Sequence, residues 1–299
     1  MRAQTGNTRL ILVVLFVLAA TLLIYYLFVR GGSVYTTENL RQERAQLVKQ
    51  DIQFMGRGID YAHYNVIAIS DKGDTVVAQY RLPAAENKTK AVLWVYDESN
   101  AVNLSDALDD VTQAQFAAVL ALNIHDFFSY DSKGKPEESR ENIWKGLAKS
   151  KRSIDILLQF LGKHHVNDTT QIYLGGSGEA TTAVLAAAAT LPQRLGGLGI
   201  VNLTSSANSG ELAKAREFSS AETWTDQIHV DRLALLKPAG ETETAPVFSR
   251  KIDQVSFDDS FGPKSEVSTM VKWVVGADTS RVSFTADSTK VRTTTVTMR

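Results

Sequence analysis

The chain of 299 residues has no cysteine. Disulfides, thiolate metal sites and cysteine nucleophiles are therefore excluded, and the redox compartment stays open. Charge of one sign is not in excess: the formal net charge is −1, so nothing points to nucleic acid or to an acidic partner. Histidine is scarce, with five in all, and only His229 lies beyond residue 165. His164 and His165 end a helical stretch with no third ligand beside them, so no metal or other cofactor is expected. The glycine-rich stretch GGSGEAT (Gly175 to Thr181) lacks both the Walker lysine and the Rossmann spacing, which removes the common phosphate-binding loops.

One long apolar run is present. Leu10 to Val29 carries no charge and is bracketed by Arg9 and Arg30. About 20 such residues span the hydrocarbon core as a helix, and Tyr25, Tyr26 and Phe28 suit the aromatic belt at its end. A cleaved signal peptide has a shorter apolar core and a small-x-small cleavage site, which GGSVYTTEN does not supply. The run reads as an uncleaved single-pass anchor. Arg2 and Arg9 precede it without an acidic residue, whereas Arg30, Arg41 and Arg44 follow it. The orientation expected has the amino terminus in the cytoplasm and the bulk of the chain outside. Sequons begin at Asn87, Asn103, Asn167 and Asn202 and bear on structure only in a eukaryotic secretory pathway.

Beyond the anchor, Thr36 to Gly56 is polar and helix-favouring, and reads as a stalk. Residues 65–70 and 75–82 read as strands joined at Asp71-Lys72-Gly73-Asp74. Ala91 to Tyr96 (AVLWVY) is apolar throughout, as a strand buried on both faces is. Residues 104–123 repeat apolar side chains at helical spacing, residues 124–130 read as a strand, and residues 140–163 read as a long amphipathic helix. Short strands follow at 171–174 and 199–203, then at 232–237 and 271–275. The Thr-rich tail from Ser280 suits either an edge strand or a loose end. Alternation of strands and helices predicts a mostly parallel sheet flanked by helices, an α/β class domain. The partition expected is a tail (1–9), the anchor (10–29), a stalk (30–56), the domain (57–284) and a second tail (285–299).

The chemistry concentrates at Gln171 to Ala189. A strand ends at Gly175-Gly176-Ser177-Gly178-Glu179 and an Ala-rich helix begins. Small residues are needed at such a corner, where strand and helix nearly touch. Ser177 stands where a nucleophile would stand, although a serine that only caps the helix fits the same residues.

The order and spacing of these parts resemble the α/β-hydrolase superfamily from about Asn65 to Asn202, and more loosely to Phe284. DKGDTVVAQYRLP precedes AVLWVY as the family's first strands precede its buried one. FFSYDSKGKPEES stands in place of the D-x-R-G-x-G-x-S segment, and GGSGE is similar to the G-x-S-x-G elbow. The resemblance implies that Ser177 is the nucleophile for an ester or acyl carbonyl, with Gly178 and the loop at Asp97 forming the oxyanion hole. It also implies an acid after the penultimate strand, where Glu243 stands, and a histidine after the last, where Thr279 stands instead. His229 is the remaining candidate base, with Asp226 or Asp231 to orient it. Two functions are thus expected: a membrane-anchored serine hydrolase with an ester or lipid-like substrate, or a catalytically degenerate member binding a ligand or protein partner. The first, which leads, rests on the elbow and the strand order; the alternative rests on Glu179, the acidic Asp97-Glu98 and the missing terminal histidine.

Overall fold

The computed structural model describes residues 14–21, 35–84, 90–97, 108–109, 112, 117–128, 136–164, 171–178, 180–191, 195–201, 216–220, 222–225, 227–230, 232–236, 253–257, 267, 270–271, 274–275, 283–286 and 293–297. The strands are β1 (Leu47–Arg57), β2 (Tyr61–Ser70), β3 (Thr75–Pro83), β4 (Ala91–Tyr96), β5 (Ala118–Asn123) and β6 (Ile172–Ser177). They continue with β7 (Gly197–Val201), β8 (Arg232–Leu236), β9 (Asp253–Phe257), β10 (Ser283–Ala286) and β11 (Thr293–Thr297). Helices are α1 (Thr37–Gln42), α2 (Pro136–His164), α3 (Ala180–Thr190), α4 (Arg216–Ser219) and α5 (Glu222–Thr225).

All the strands form one sheet in the order β1-β2-β3-β5-β4-β6-β7-β8-β9-β11-β10. From β5 to β9 every neighbour is parallel, whereas β1, β2, β3 and β5 pair antiparallel in turn. β4, β6 and β7 are buried along their whole length. That is what continuous apolar runs do in a parallel sheet covered on both faces. On one face α2 and α3 pack through Leu147, Leu157, Phe160, Val184 and Leu185. On the other, Val267, Met270, Val271, Val274 and Val275 pack over Val92, Trp94 and Tyr173.

Four expectations change. His125–Phe127 is a 3-10 helical turn within the stretch 124–130 read as a strand. Residues 118–123 form a strand rather than a helix, because AVLALN is apolar at consecutive positions and aligns in parallel with Ala91 to Tyr96. Residues 271–275 are not the last strand: the Val275 N–H donates to the Val271 carbonyl at 3.0 Å, a helical spacing. Asp253–Phe257 takes the place beside β8 instead. Finally, the stretch read as a stalk carries α1 and the edge strand β1, and Leu40 is fully buried in the core. The tail from Ser280 contributes β10 and β11, with β11 parallel to β9.

Residues 14–21 are helical, with Leu15, Phe16 and Val17 well exposed. Among the described residues no helix is long and apolar enough to cross a membrane. The rest of Leu10–Val29 lies outside the described residues.

The link from α1 to β1 is strapped to α2 by buried polar groups. Fully buried Lys151 donates to the Glu43 carbonyl, and Gln159 donates to the Ala45 carbonyl at 2.8 Å. Asp155, buried four residues on from Lys151, lies 3.6 Å from the Arg44 guanidinium. Burial pushes the Asp155 carboxyl up to about 6, against the pull of Lys151 and Arg44, and pushes Lys151 down to about 8. Folded Asp155 holds its proton more tightly than the unfolded chain does. Its contribution to stability is therefore complete below the ordinary carboxylate pKa and is lost as pH rises through about 6. Between pH 5 and 7.5 this amounts to on the order of 1 kcal/mol. Urea unfolding at those two pH values should show a fall of that size in the wild type that is missing in Asp155→Asn.

Candidate functional site

β6 carries the corner. A Cβ at Gly176 would lie 2.8 Å from Val184 Cγ2 and 3.0 Å from the Val95 carbonyl oxygen, so no side chain fits where α3 crosses the strand. Gly175 meets the Trp94 ring in the same way on the opposite face. The chain then turns at Gly178, which has φ of +63°, in the left-handed region. The Gly178 carbonyl accepts from the Thr181 N–H at 3.2 Å and from the Thr181 hydroxyl at 2.8 Å, starting α3.

This geometry moves the corner by one residue from the expected place. In a nucleophile elbow the strained residue between strand and helix presents its side chain, with small residues two positions before and after it. Here the residue with positive φ is Gly178, and the small neighbours are Gly176 and fully buried Ala180. Ser177 is still in the strand. It pairs with Val201 and is only 7% exposed, on the sheet face shared by Gly175 and Trp94. The stretch can be read in two frames, G-x-S-x-E from Gly175 or G-x-G-x-A from Gly176. The signal that separates them is Glu179, too large for the second small position of the first frame.

The expected oxyanion donors are only partly brought together. The Gly178 N–H donates to the Val201 carbonyl at 3.3 Å, so it is engaged by the sheet. Asp97 follows β4 directly, and its two carboxylate oxygens lie 3.4 and 3.7 Å from the Cβ position of Gly178. A carboxylate about 4 Å from a developing oxyanion opposes it by about 4 kcal/mol at an effective dielectric of about 20. One oxyanion donor contributes about 3–4 kcal/mol.

His229 is not brought to Ser177. Ser177 is in register with Val201, and Val201 with Leu236. His229 comes seven positions before Leu236, next to the bridge between Leu195 and Val230. That spacing is about 23 Å along a strand, at the amino end of the sheet rather than the carboxyl end. The expectation failed because β8 enters the sheet immediately after the histidine. His63, paired with Arg81, is also at the amino end. His164 stacks on Phe160 at the end of α2. His125 follows β5 at the carboxyl end, two strands away from β6 and exposed. Glu243, Asp226, Asp231, Glu98, Glu179 and Thr279 lie outside the described residues. With β9 as the strand beside β8, the family's histidine would fall just after Phe257, in Asp258 to Glu266, where the sequence has none. No group of three metal-ligating side chains occurs among the described residues.

No protein-family model matches the sequence, and no curated protein matches it. Solved structures do match. The chain is similar to an acetyl xylan esterase from Paenibacillus sp. R4, with a TM-score of 0.57 at 13% identity over 80% of this chain and 92% of that one. It is similar to acetyl xylan esterase 1 from Thermoanaerobacterium sp. JW/SL YS485, at 0.53 and 12% over 81% and 92%. An S-formylglutathione hydrolase from Agrobacterium tumefaciens follows at 0.51 and 11%, over 78% and 99%. At such identities the likeness speaks for the fold alone, a mostly parallel sheet flanked by helices of α/β-hydrolase-like type.

The two glycines of the corner should respond differently to a methyl group. Gly176→Ala meets backbone and a packed valine, and overpacking of this kind costs about 1–3 kcal/mol or more. Gly178→Ala has ordinary room and carries only the strain of the left-handed conformation, about 1–2 kcal/mol. Thermal melts of both variants check the order, with Gly176→Ala the less stable.

Proposed function

We propose that this chain is a catalytically silent α/β-hydrolase-fold protein, tethered to a membrane by Leu10–Val29, that binds a ligand or protein partner at the carboxyl end of its sheet. The observation that carries this reading is Gly178. Gly178, which turns the chain from strand to helix at positive φ, has no side chain to offer as a nucleophile. The Asp97 carboxylate beside it and the lack of any histidine after β9 support the same reading.

The second reading is a serine hydrolase acting on ester or acyl bonds through Ser177. Two observations favour it: solved structures of similar fold are named as esterases, and Ser177 closes the carboxyl end of β6. A serine without an activating base reacts poorly with fluorophosphonates. The silent reading expects no labelling of the folded protein and no hydrolysis of acetyl esters above a Ser177→Ala control. Labelling abolished by Ser177→Ala would reverse the order of the two readings.

In this proposal the amino terminus is in the cytoplasm and the domain on the extracytoplasmic side. The tether is supported by the uncharged run and by the outward apolar side chains of residues 14–21. Alkaline carbonate washing should leave the full chain in the membrane pellet and release a chain lacking residues 1–30. Release of both would remove the tether from the proposal.

A further inference from the structure

β1 is an outer strand of the sheet: it pairs with β2 on one side and with no other strand among the described residues. It is long, at 11 residues. Val48, Phe54 and Met55 are each more than half exposed, and Ile52 is 40% exposed. An uncovered edge offers a row of backbone donors and acceptors that another strand can pair with. Register shifts fall between Leu47 and Lys49 and between Phe54 and Gly56. Lys49 to Phe54 is therefore a regular ladder whose outer side no strand pairs with among the described residues.

The charges of that ladder select a second copy of this chain as the occupant, and they select its register. Two copies joined edge to edge are related by a two-fold axis perpendicular to the sheet. Opposed residues share a face, so the axis must pass through a residue rather than between two. An axis at Lys49 or Asp51 sets a like charge against itself. Axes at Gln53 and at Phe54 bring Arg57 opposite Lys49 and Asp51 respectively, but only across the irregular step between Phe54 and Gly56, so neither ladder is regular as far as its charges. An axis at Ile52 leaves both charges facing uncharged residues. An axis at Gln50 sets Lys49 of each copy opposite Asp51 of the other, twice. Opposite charges facing one another across a ladder stabilise it, and like charges destabilise it.

We propose that β1 is a homodimer interface, in which two copies pair antiparallel through their β1 edges about Gln50, with Lys49 against Asp51 of the second copy on both sides of the axis. The sheet then runs continuously through both copies.

The lack of cysteine makes the test clean. In this register residue 50 faces its own counterpart at a Cα separation of about 4.5–5.5 Å, within disulfide range. Residue 53 of one copy is about 20 Å from residue 53 of the other. Full chain carrying Gln50→Cys, purified in detergent and mildly oxidised, should run on non-reducing electrophoresis at twice the chain mass of 32.8 kDa. Gln53→Cys should stay at the chain mass. Adding Lys49→Asp to the Gln50→Cys chain should lower the cross-linked fraction about tenfold, since two attractive pairs become repulsive. Adding Asp51→Lys as well should restore it. A Gln50→Cys chain that stays single, equal cross-linking at 50 and 53, or indifference to Lys49→Asp would each overturn the proposal. Cross-linking rescued by the double charge exchange cannot come from misfolding or from association of the apolar amino-terminal segments.

Discussion

The structure depends on how closely β6 approaches the helix that follows it. Gly176 has no room for a methyl group between the Val95 carbonyl and Val184, and that contact sets both the angle of α3 and its distance from the sheet. The opposite face repeats the constraint. Gly175 accepts the Trp94 ring, and Gly199 lies beneath Met270 and Val274. The middle of the sheet is thus lined with glycine so that large side chains from neighbouring elements can reach the backbone. The pattern follows from packing to interior density: where the layers come nearest, the volume is supplied by Trp94, Met270 and Val184 rather than by the strand itself.

Much of the frame was legible in the sequence. Ala91 to Tyr96 could only be a strand buried on both faces, and the long apolar stripe of α2 announced itself. Errors came where an apolar run had no period. AVLALN suits a buried helix and a buried strand equally, and only its pairing with β4 decides. Val271 to Val275 suffers the same ambiguity in reverse. The edge strand β1 was missed for another reason. Its residues are largely polar and charged because one side faces water, so local propensity favoured a helical stalk, and the long-range pairing with β2 overrode it.

The site was half legible. That the corner lies at GGSGEAT was readable from the strand-to-helix change, but its frame was not, because Ser177 fits the nucleophile position of the pattern. Glu179 carried the correction: a large side chain cannot occupy the second small position, so the corner must lie one residue further on. His229 could not be placed from sequence, since its distance from Ser177 depends on where β8 begins in the sheet.

At the corner, packing and chemistry make separate demands on this fold. The demands at Gly176 and at buried Ala180 are packing demands, and violating them moves a helix. The demand at position 178 is only that the backbone turn through positive φ, which glycine meets with less strain than any other residue. A serine there would carry a cost of about 1–2 kcal/mol in backbone conformation, worth bearing when the hydroxyl does chemistry. Glycine removes the strain and the nucleophile together. The geometry beside it agrees, for the Asp97 carboxylate sits against the Cβ position, where a developing oxyanion would be repelled. An elbow relaxed in its backbone and acidic in its surroundings meets the packing demands of the sheet and its helix, and in the proposed reading a ligand there meets a carboxylate where an esterase would offer donors.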